Sequence, residues 1–253
     1  MKYTVITGAS SGIGYETAFA FAARGKHLVL VARRLDKLEE LRSAIQQSYP
    51  NVDVVVRSSD LAVVEQAHDL YNSLKEFQIE TWINNAGLSV AGLVVENDLK
   101  RVEDMLNVNI NSLSVLTLLY VRDYVNVEGA QLINVSSGLG YYVPVTSVGY
   151  AATKFFVSAW TEGLAKELEV KGAKLRAKVL APGATETDMI KNTTGIEDFD
   201  FKANIPMYHT AKQMAGFMLE LYDSNAVVGI VDESNYEFKL RDQIHPVRTE
   251  FLS

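Results

Sequence analysis

The sequence predicts an α/β fold in which a parallel sheet of about seven strands is wound in two directions and carries helices on both faces. Short apolar runs alternate with segments of helical period along the whole chain. Uninterrupted runs such as Leu28–Val31 and Val54–Val56 are typical of strands that are covered on both faces. Since no repeat, low-complexity segment or linker divides the chain, one domain over residues 1–253 is predicted.

Each element follows from this alternation, because consecutive parallel strands must be joined by right-handed crossovers. Seven apolar segments are predicted as strands: Tyr3–Thr7, His27–Ala32, Val52–Val56, Thr81–Asn84, Ala130–Ser136, Lys174–Ala181 and Val227–Val231. The helical patterns between them include Ile13–Arg24, Leu35–Gln47, Val63–Phe77 and Gly149–Val170.

One long stretch, Thr185–Tyr208, shows no clear period and follows the sixth strand. Loops of this length in compact domains are usually lids or binding loops, so this segment is interpreted as a substrate loop over about residues 185–208. Its apolar residues either anchor the loop or in part line a substrate pocket. They are Met189, Ile190, Ile196, Phe199, Phe201, Ile205 and Met207.

Composition excludes several classes of function. The formal charge of −7 argues against nucleic acid or an anionic membrane surface as a partner. The chain has no cysteine, which rules out disulfides, thiol catalysis and thiolate metal sites, and its four histidines lack metal-ligand spacing. No metal site is predicted. Because no apolar segment has the length of a membrane span and the N-terminal residues form a strand rather than a signal peptide, a cytoplasmic protein is expected.

The first predicted strand leads into a glycine-rich segment, Thr7-Gly8-Ala9-Ser10-Ser11-Gly12-Ile13-Gly14, and a helix follows at once. Glycines let a backbone turn tightly and approach a pyrophosphate, and the helix N-terminus offers free N–H groups. The spacing differs from the usual Gly-x-Gly-x-x-Gly dinucleotide pattern, so a simple glycine-rich turn is the alternative.

The second strand ends in Ala32-Arg33-Arg34, where NAD-binding sites usually carry an acid that holds the ribose 2′-hydroxyl. Two guanidinium groups can instead bind a 2′-phosphate. NADP(H) is therefore favoured over NAD(H), with Arg33 expected closest to the ribose. The alternative is a solvated basic start to the next helix.

Tyr150 and Lys154 are four residues apart on a predicted helix and hence on one face. The same spacing occurs at Tyr71–Lys75, interpreted as part of a polar helix face, and at Tyr208–Lys212, after the long loop. Only Tyr150 follows a strand that ends in a serine pair, Ser136-Ser137. This context favours Tyr150 and Lys154 as the functional pair.

With these motifs in this order, the chain resembles the short-chain dehydrogenase/reductase family in its compact single-domain form, which implies a Rossmann-type sheet. The resemblance covers Tyr3 to Val231. It rests on the glycine loop, the Asn-Asn-Ala-Gly motif, a helix asparagine, the serine, the Tyr-Lys pair and a Pro-Gly pair with a threonine beyond it. These are Thr7–Gly14, Asn84–Gly87, Asn109, Ser137, Tyr150, Lys154, Pro182-Gly183 and Thr187.

The resemblance implies a catalytic tetrad of Asn109, Ser137, Tyr150 and Lys154. In it, Ser137 holds the substrate oxygen, Lys154 bonds the nicotinamide ribose and Asn109 anchors a water in a proton relay. Asp60-Leu61 matches the pair that lies beside the adenine ring. The expected cofactor contacts are Gly8, Ser10, Ser11, Gly12, Ile13, Gly14, Arg33, Arg34, Asp60, Leu61, Asn85, Ala86, Gly87, Tyr150, Lys154, Pro182, Gly183, Thr185 and Thr187.

The chemistry agrees with this resemblance. Hydride addition to a carbonyl leaves an alkoxide that needs a proton. A tyrosine pKa near 10 lies roughly three units above neutrality, or about 4 kcal/mol. One ammonium about 4 Å away supplies roughly that amount at an effective dielectric constant near 20, and Lys154 is placed to be that ammonium. The nicotinamide cofactor carries the hydride.

The expected function is therefore an NADP(H)-dependent oxidoreductase that interconverts a carbonyl and an alcohol on a small molecule. The alternatives are a non-enzymatic NADP(H)-sensing regulator on the same fold, which has no need of Ser137 or Tyr150, and an epimerase or dehydratase, which expects a longer substrate segment.

Two further expectations concern the surroundings of the site. Tyr141 and Tyr142, just past Ser137, are expected to close the second wall of the pocket. Many family members end with Asp-Gly-Gly after the last strand, whereas this chain has Asp232-Glu233-Ser234 and a tail over about residues 232–253. In the family those glycines often lie near a subunit contact, and their absence here puts the usual tetramer in doubt. A homodimer through the Tyr150-bearing helix is therefore expected, with a tetramer as the alternative.

Overall fold

A computed structural model describes residues 1–194, 196 and 198–249. Its main sheet has eight strands in the order β10-β9-β6-β5-β4-β1-β2-β3. The strands are β1 Lys2–Thr7, β2 His27–Ala32, β3 Val54–Ser58, β4 Gln78–Asn84, β5 Gln131–Val135, β6 Arg176–Ala181, β9 Val228–Val231 and β10 Phe238–Arg241. A second sheet pairs β7 Thr185–Glu186 with β8 His209–Thr210.

Helices connect the strands. They are α1 Gly12–Ala22, α2 Leu35–Ser48, α3 Val64–Asn72, α4 Leu99–Leu106, α5 Leu113–Tyr124, α6 Val148–Val170, α7 Asp188–Thr194, α8 Phe201–Asn204 and α9 Ala211–Asp223. Between α4 and α5 the helix widens into a π-helical stretch, Asn107–Ser112. No described helix combines the length and apolarity that crossing a membrane requires.

The predicted α/β fold is confirmed. Seven strands of the main sheet run parallel, and β1 lies between β2 and β4, with Val5 beside Val29 on one side and Trp82 on the other. The eighth strand, β10, was missed because it falls in the segment interpreted as a tail. It pairs antiparallel with β9, so Phe238 faces Val231 across a short connection that needs no crossover helix.

Helices cover both faces of the sheet and bury an apolar core on each. On one face α1, α2 and α9 pack over Ile6, Leu30 and Leu180. On the other face α3, α5 and α6 pack over the fully buried Trp82. Uninterrupted apolar strands are therefore required, because every residue of a central strand faces a helix layer.

Tyr71 corrects one interpretation of the sequence. The sequence predicts Tyr71 on a polar helix face, but its side chain is buried against Trp82, with ring centroids 5.5 Å apart. Its hydroxyl donates to Asp123 Oδ2 at 2.7 Å, which satisfies the one polar atom of the ring. Helix α3 also ends at Asn72 rather than continuing to Phe77.

The segment predicted as an aperiodic loop contains regular structure. Its ends meet where Thr185 pairs with His209, and α7 and α8 lie between them. Phe201 is buried and its ring packs against Phe199 and Tyr208, both at 5.3 Å between ring centroids. These helices are only seven and four residues long, too short for a helical period to be recognised in the sequence.

Candidate active site

Most of the predicted site residues lie at the carboxyl ends of the parallel strands and line one cleft of about 1390 Å³. Strands β1 and β4 are neighbours but their crossovers lead to opposite faces of the sheet, so a crevice opens at their carboxyl ends. All predicted cofactor and catalytic residues except Gly14 and Asn109 line it. Gly14 and Asn109 do not line it, but Gly14 packs against Gly8 O, and Asn109 hydrogen-bonds the backbone of Leu88.

The glycine loop is tied to the segment after β4. Thr7 Oγ1 accepts hydrogen bonds from the N–H groups of Asn85 and Ala86, both at 3.0 Å, and Asn85 Nδ2 donates to Thr7 O at 2.9 Å. Gly8 has a φ of +68°, and a Cβ on it would lie 2.8 Å from Ala86 Cα. Only glycine allows this backbone conformation together with so close an approach.

This loop fits a pyrophosphate. Helix α1 begins at Gly12, and the side chain of Ser11 at its N-cap makes no capping hydrogen bond, so a ligand can bind the first N–H groups of the helix. A Cβ on Gly14 would clash with Gly8 O and Asn85 Nδ2. The residues present therefore form a cradle from which side chains are excluded, as a bound dinucleotide requires.

The basic pair lies at the adjacent corner of the cleft. Arg33 and Arg34 are both exposed and both line it, and Arg34 Nη2 donates to Ser10 Oγ at 3.3 Å. Ser58 Oγ donates to Arg33 O at 3.0 Å and fixes the backbone at the end of β2. The geometry thus brings Arg34 to the glycine loop, whereas the sequence predicts Arg33 closest to the ribose.

Asp60 and Leu61 are fixed by backbone contacts beside this corner. Asp60 N donates to Gln66 Oε1 at 2.7 Å, and Asp60 Oδ1 accepts from Ala62 N at 3.1 Å. Ser112 Oγ donates to Leu61 O at 2.7 Å, which ties the segment to the end of the π-helical stretch. Both residues therefore face the cleft with a fixed backbone.

Tyr150 and Lys154 lie one turn apart on α6 and are buried, with 8% and 3% of their surface exposed. The Lys154 Nζ lies 5.6 Å from the centre of the Tyr150 ring and donates to Val135 O at 3.0 Å. Ser137 is the second residue after β5, and a side-chain interaction joins it to Tyr150. Three of the four predicted catalytic side chains are thus brought together.

Burial sets the protonation behaviour of this pair. It raises the pKa of Tyr150 to about 12, and the interaction with Ser137 opposes that change in part. Burial also lowers the pKa of Lys154 to about 8. The expectation that the ammonium alone brings the tyrosine towards neutrality is not met, because the loss of water disfavours both charged forms.

Asn109 occupies the π-helical stretch and is buried. Its Oδ1 accepts from Leu88 N, and its Nδ2 donates to Leu88 O and to Thr153 Oγ1, each at 2.9 Å. The side chain therefore fixes the segment after β4 against α6. Its predicted role in a water relay stays a prediction.

The segment after β6 closes the cleft from above. Gly138 N donates to Pro182 O at 2.8 Å, and Thr185 Oγ1 donates to Gly183 O at 2.9 Å. A Cβ on Gly12 would lie 3.0 Å from Thr187 Cγ2, so Thr187 lies directly over the glycine loop. These contacts set the Pro-Gly pair and the two threonines opposite α1.

The substrate end of the cleft is only partly what the sequence predicted. Of the apolar stripe, Met189 and Ile190 line the cleft, while Phe199 and Phe201 anchor the segment. Tyr142 lines the cleft as expected. Tyr141 does not, because its hydroxyl points into the protein and donates to Glu162 Oε1 at 2.7 Å.

Glu162 is a residue of this region that the sequence motifs do not indicate. It lies on α6 and is fully buried, and its Oε2 accepts from His245 N at 2.8 Å, so it joins the Tyr141 loop to the C-terminal segment. The His245 ring stacks on Tyr141 at 5.1 Å. Glu162 shares the buried side of α6 with Ser158, Thr161 and Ala165. A carboxylate at such a position needs hydrogen-bond donors inside the protein, and this was the signal in the sequence.

Fold and cleft together are those of an oxidoreductase that works with a dinucleotide. The chain belongs to the short-chain dehydrogenase/reductase family, since the family model for short chain dehydrogenases matches residues 2–197. The described residues contain no group of three or more histidine, aspartate or glutamate side chains that could hold a metal ion.

Known proteins agree with this assignment. An uncharacterized oxidoreductase of Staphylococcus saprophyticus is 36% identical over 211 residues, which cover 81% of each chain. The human dehydrogenase/reductase SDR family member 11 is 33% identical over 193 residues, 74% of each chain. A short-chain dehydrogenase from Sphingobium yanoikuyae in complex with NADPH superposes with a TM-score of 0.82 at 28% identity, over 91% of this chain and 87% of that one.

Proposed function

We propose that this protein is an NADP(H)-dependent oxidoreductase that interconverts a carbonyl and an alcohol on a small molecule, with Tyr150 as general acid and base. The observation that carries the proposal is the position of the buried Tyr150–Lys154 pair, which lies beside Ser137 in the same cleft as the glycine cradle. A sensor that only binds the dinucleotide does not need a buried tyrosine beside a serine hydroxyl.

The cofactor would be held by the glycine loop, by the two arginines after β2 and by the segments that follow β4 and β6. When bound, its nicotinamide supplies or accepts the hydride. The Ser137 hydroxyl orients the substrate oxygen, and Tyr150 donates its phenolic proton to that oxygen during reduction and recovers it during oxidation. Lys154 places an ammonium beside the phenolate that forms, where its charge stabilises it.

The preference for NADP(H) is supported by charge. Strand β2 ends in Ala32, which offers no carboxylate to a ribose 2′-hydroxyl, and Arg33 and Arg34 both line the cleft at this corner. Guanidinium groups bind phosphate in a forked geometry that a hydroxyl cannot reproduce. The NADPH bound to the Sphingobium yanoikuyae relative supports the same choice.

The first test is turnover of a panel of ketones, aldehydes and alcohols, followed as NADPH absorbance, with Tyr150→Phe as the variant. We expect the parent to turn over at least one pair and the variant to retain below a few per cent of that rate. Its NADP(H) affinity should be nearly unchanged, because the ring still packs but carries no proton.

Tyr208→Phe is the matched control, since Tyr208 starts a Tyr-x-x-x-Lys pattern outside the cleft and should keep full activity. Substantial turnover by Tyr150→Phe would refute the role of Tyr150. NADP(H) binding without any turnover by the parent would favour the sensor.

A further inference from the structure

The tight connection between β9 and β10 brings Glu233 into the cleft. A Cβ on Gly138, the residue after Ser137, would lie 3.5 Å from Glu233 Oε1 and 3.8 Å from Tyr142 Cε1. Glu233 also interacts with the Tyr142 hydroxyl, and this contact adds to the effect of burial in raising the pKa of that hydroxyl. The carboxylate therefore stands one residue away from the serine that orients the substrate oxygen.

The connection that carries Glu233 is held rigidly. Asp232 accepts from Ser234 N at 2.9 Å and from Lys239 Nζ at 2.7 Å. Tyr236 adopts a positive φ of 59°, and its hydroxyl accepts from Ala184 N at 2.9 Å, directly after the Pro-Gly pair. These contacts fix the backbone of the turn that carries Glu233.

The other charges that line the cleft around Glu233 are of both signs. Among the described residues that line the cleft outside the corner of Arg33, Arg34 and Asp60, the carboxylates besides Glu233 belong to Asp104, Asp188 and Asp198, and the positive groups to Arg101, Lys154 and Lys191. These three acids and three bases balance, so the net charge of this end is that of Glu233, whereas Arg33 and Arg34 make the opposite corner positive. A charged substrate is therefore attracted or repelled according to its sign.

We propose that Glu233 is a specificity-determining residue that selects carbonyl or alcohol substrates carrying a protonated amine near the reacting carbon and disfavours anionic ones. The proposal rests on the proposed function, because it assumes that the substrate oxygen lies at Ser137. A carboxylate that also accepts from Tyr142 can bind an ammonium without losing that contact, since it has two oxygens. An anion in the same place would face an uncompensated negative charge.

The experiment uses three acetophenones of similar shape that carry a 3-aminomethyl, a 3-ethyl or a 3-carboxylate group, at pH 7 and fixed ionic strength. Reduction is followed with NADPH, and binding to the NADP⁺-loaded protein is measured by calorimetry. For the parent we expect about a tenfold advantage of the amine over the ethyl compound and about a tenfold penalty for the carboxylate, in kcat/KM and in affinity.

The variant is Glu233→Gln, which keeps the shape and an acceptor for Tyr142 but removes the charge. It should bring both charged compounds to within about threefold of the ethyl compound in kcat/KM and in affinity. Glu237→Gln is the control, because Glu237 lies on the same connection, binds Asn235 Nδ2 at 2.7 Å and does not line the cleft.

Each outcome is decisive. Equal treatment of the three compounds by the parent, unchanged ratios in Glu233→Gln, or no binding of any compound would overturn the inference. Binding in the expected charge order without any reduction would support Glu233 and contradict the proposed function, so the two failures are distinguishable.

Discussion

Ionisable side chains inside this protein are held by very different partners. Glu162 is fully buried and binds the Tyr141 hydroxyl and two backbone N–H groups. Lys178 is 2% exposed, and its Nζ donates to the carbonyls of Leu221, Tyr222 and Ser224 at 2.7–2.8 Å. Lys154 makes one such bond and faces the cleft. Of these three groups, the Lys154 ammonium has the fewest hydrogen bonds to the protein, and it is the one to which we assign a role in catalysis.

Lys178 gives a prediction at this scale. It neutralises the carbonyl end of α9, where the helix leaves acceptors without partners and the dipole favours a cation. Lys178→Met should lower the free energy of unfolding by about 2 kcal/mol or more, because buried carbonyls lose a charged donor. For a chain of this size the melting temperature should fall by roughly 4–8 °C.

Thermal unfolding followed by circular dichroism measures this. The control is Lys174→Met, which removes an exposed ion pair with Glu128 and should change stability by less than about 1 kcal/mol. A Lys178→Met protein as stable as this control would show that the helix end is satisfied without the lysine.

The corner after β2 gives a second prediction. Ala32→Asp combined with Arg33→Ala should reverse the cofactor preference, because the carboxylate repels a 2′-phosphate and accepts a 2′-hydroxyl. One charge-assisted hydrogen bond contributes about 1.5–3 kcal/mol, so the parent should prefer NADP over NAD roughly ten- to hundredfold in kcat/KM.

Since Arg34 contacts Ser10 of the glycine loop, Arg34→Ala alone should be made beside the double variant. The measurement is kcat/KM with each cofactor at fixed ionic strength, because salt screens such contacts. Equal efficiencies in the parent, or an unshifted preference in the double variant, would show that the arginines do not bind the phosphate.

At the scale of elements, the site depends on how closely the turn after β5 approaches α6. A Cβ on Gly140 would lie 2.5 Å from Ser158 Oγ, 2.6 Å from Ser136 Oγ and 2.7 Å from Lys154 O. Two of these atoms belong to α6 and one to Ser136, the residue after β5. The absence of a side chain at Gly140 therefore allows the turn that carries Ser137 to lie this close to the helix of Tyr150. This contact is a positional requirement of the catalytic geometry.

Gly140→Ala should therefore push the turn away from α6. We expect a loss of about 1–3 kcal/mol in stability from overpacking and at least a tenfold loss in kcat/KM, because Ser137 moves relative to Tyr150. The control is Gly216→Ala, on the exposed side of α9 with no atom within 4 Å of the new methyl. It should keep full activity and gain up to about 1 kcal/mol. Full activity in Gly140→Ala would contradict this role of the turn.

Elements with a strong local pattern were predictable, and those fixed by distant contacts were not. The parallel strands and α6 follow from apolar runs and helical period, and the glycine loop and the Tyr150–Lys154 pair from spacing. In contrast, β10 is a four-residue strand that needs β9 as its partner, and α7 and α8 are short helices held by ring contacts. Glu233 reached the cleft only through the turn that β10 creates.

At the scale of the whole molecule, one helix serves both the site and the outer surface. The inward side of α6 carries Tyr150, Lys154 and Glu162. Its outward side is apolar from residue 152 to residue 163 and presents alternating small and aromatic residues, Ala152, Phe156, Ala159, Trp160 and Gly163, each exposed or half-exposed. The Phe156 and Trp160 rings contact each other on this face, with centroids 5.1 Å apart and planes tilted by 35°.

This surface is the basis of the expected homodimer. Residues at these positions share one helix face, and an uncharged face of large and small side chains can pack against a second copy of itself about a two-fold axis. The β10 edge of the sheet is a less favourable subunit contact, since this strand covers β9 and carries the charged residues Lys239 and Arg241. We therefore propose a dimer through α6 rather than a tetramer.

Light scattering coupled to size-exclusion chromatography tests this proposal. The parent should elute as a dimer, and Ala159→Arg should elute as a folded monomer, because an arginine would enter the apolar contact unpaired. Gln46→Arg adds the same charge on the exposed side of α2 and should stay dimeric. A monomeric or tetrameric parent, or a dimeric Ala159→Arg, would place the subunit contact elsewhere. Because α6 also carries Tyr150 and Lys154, we expect the monomeric variant to be less active than the dimer. Dilution of the parent below the dissociation constant of the dimer should lower its activity in the same way.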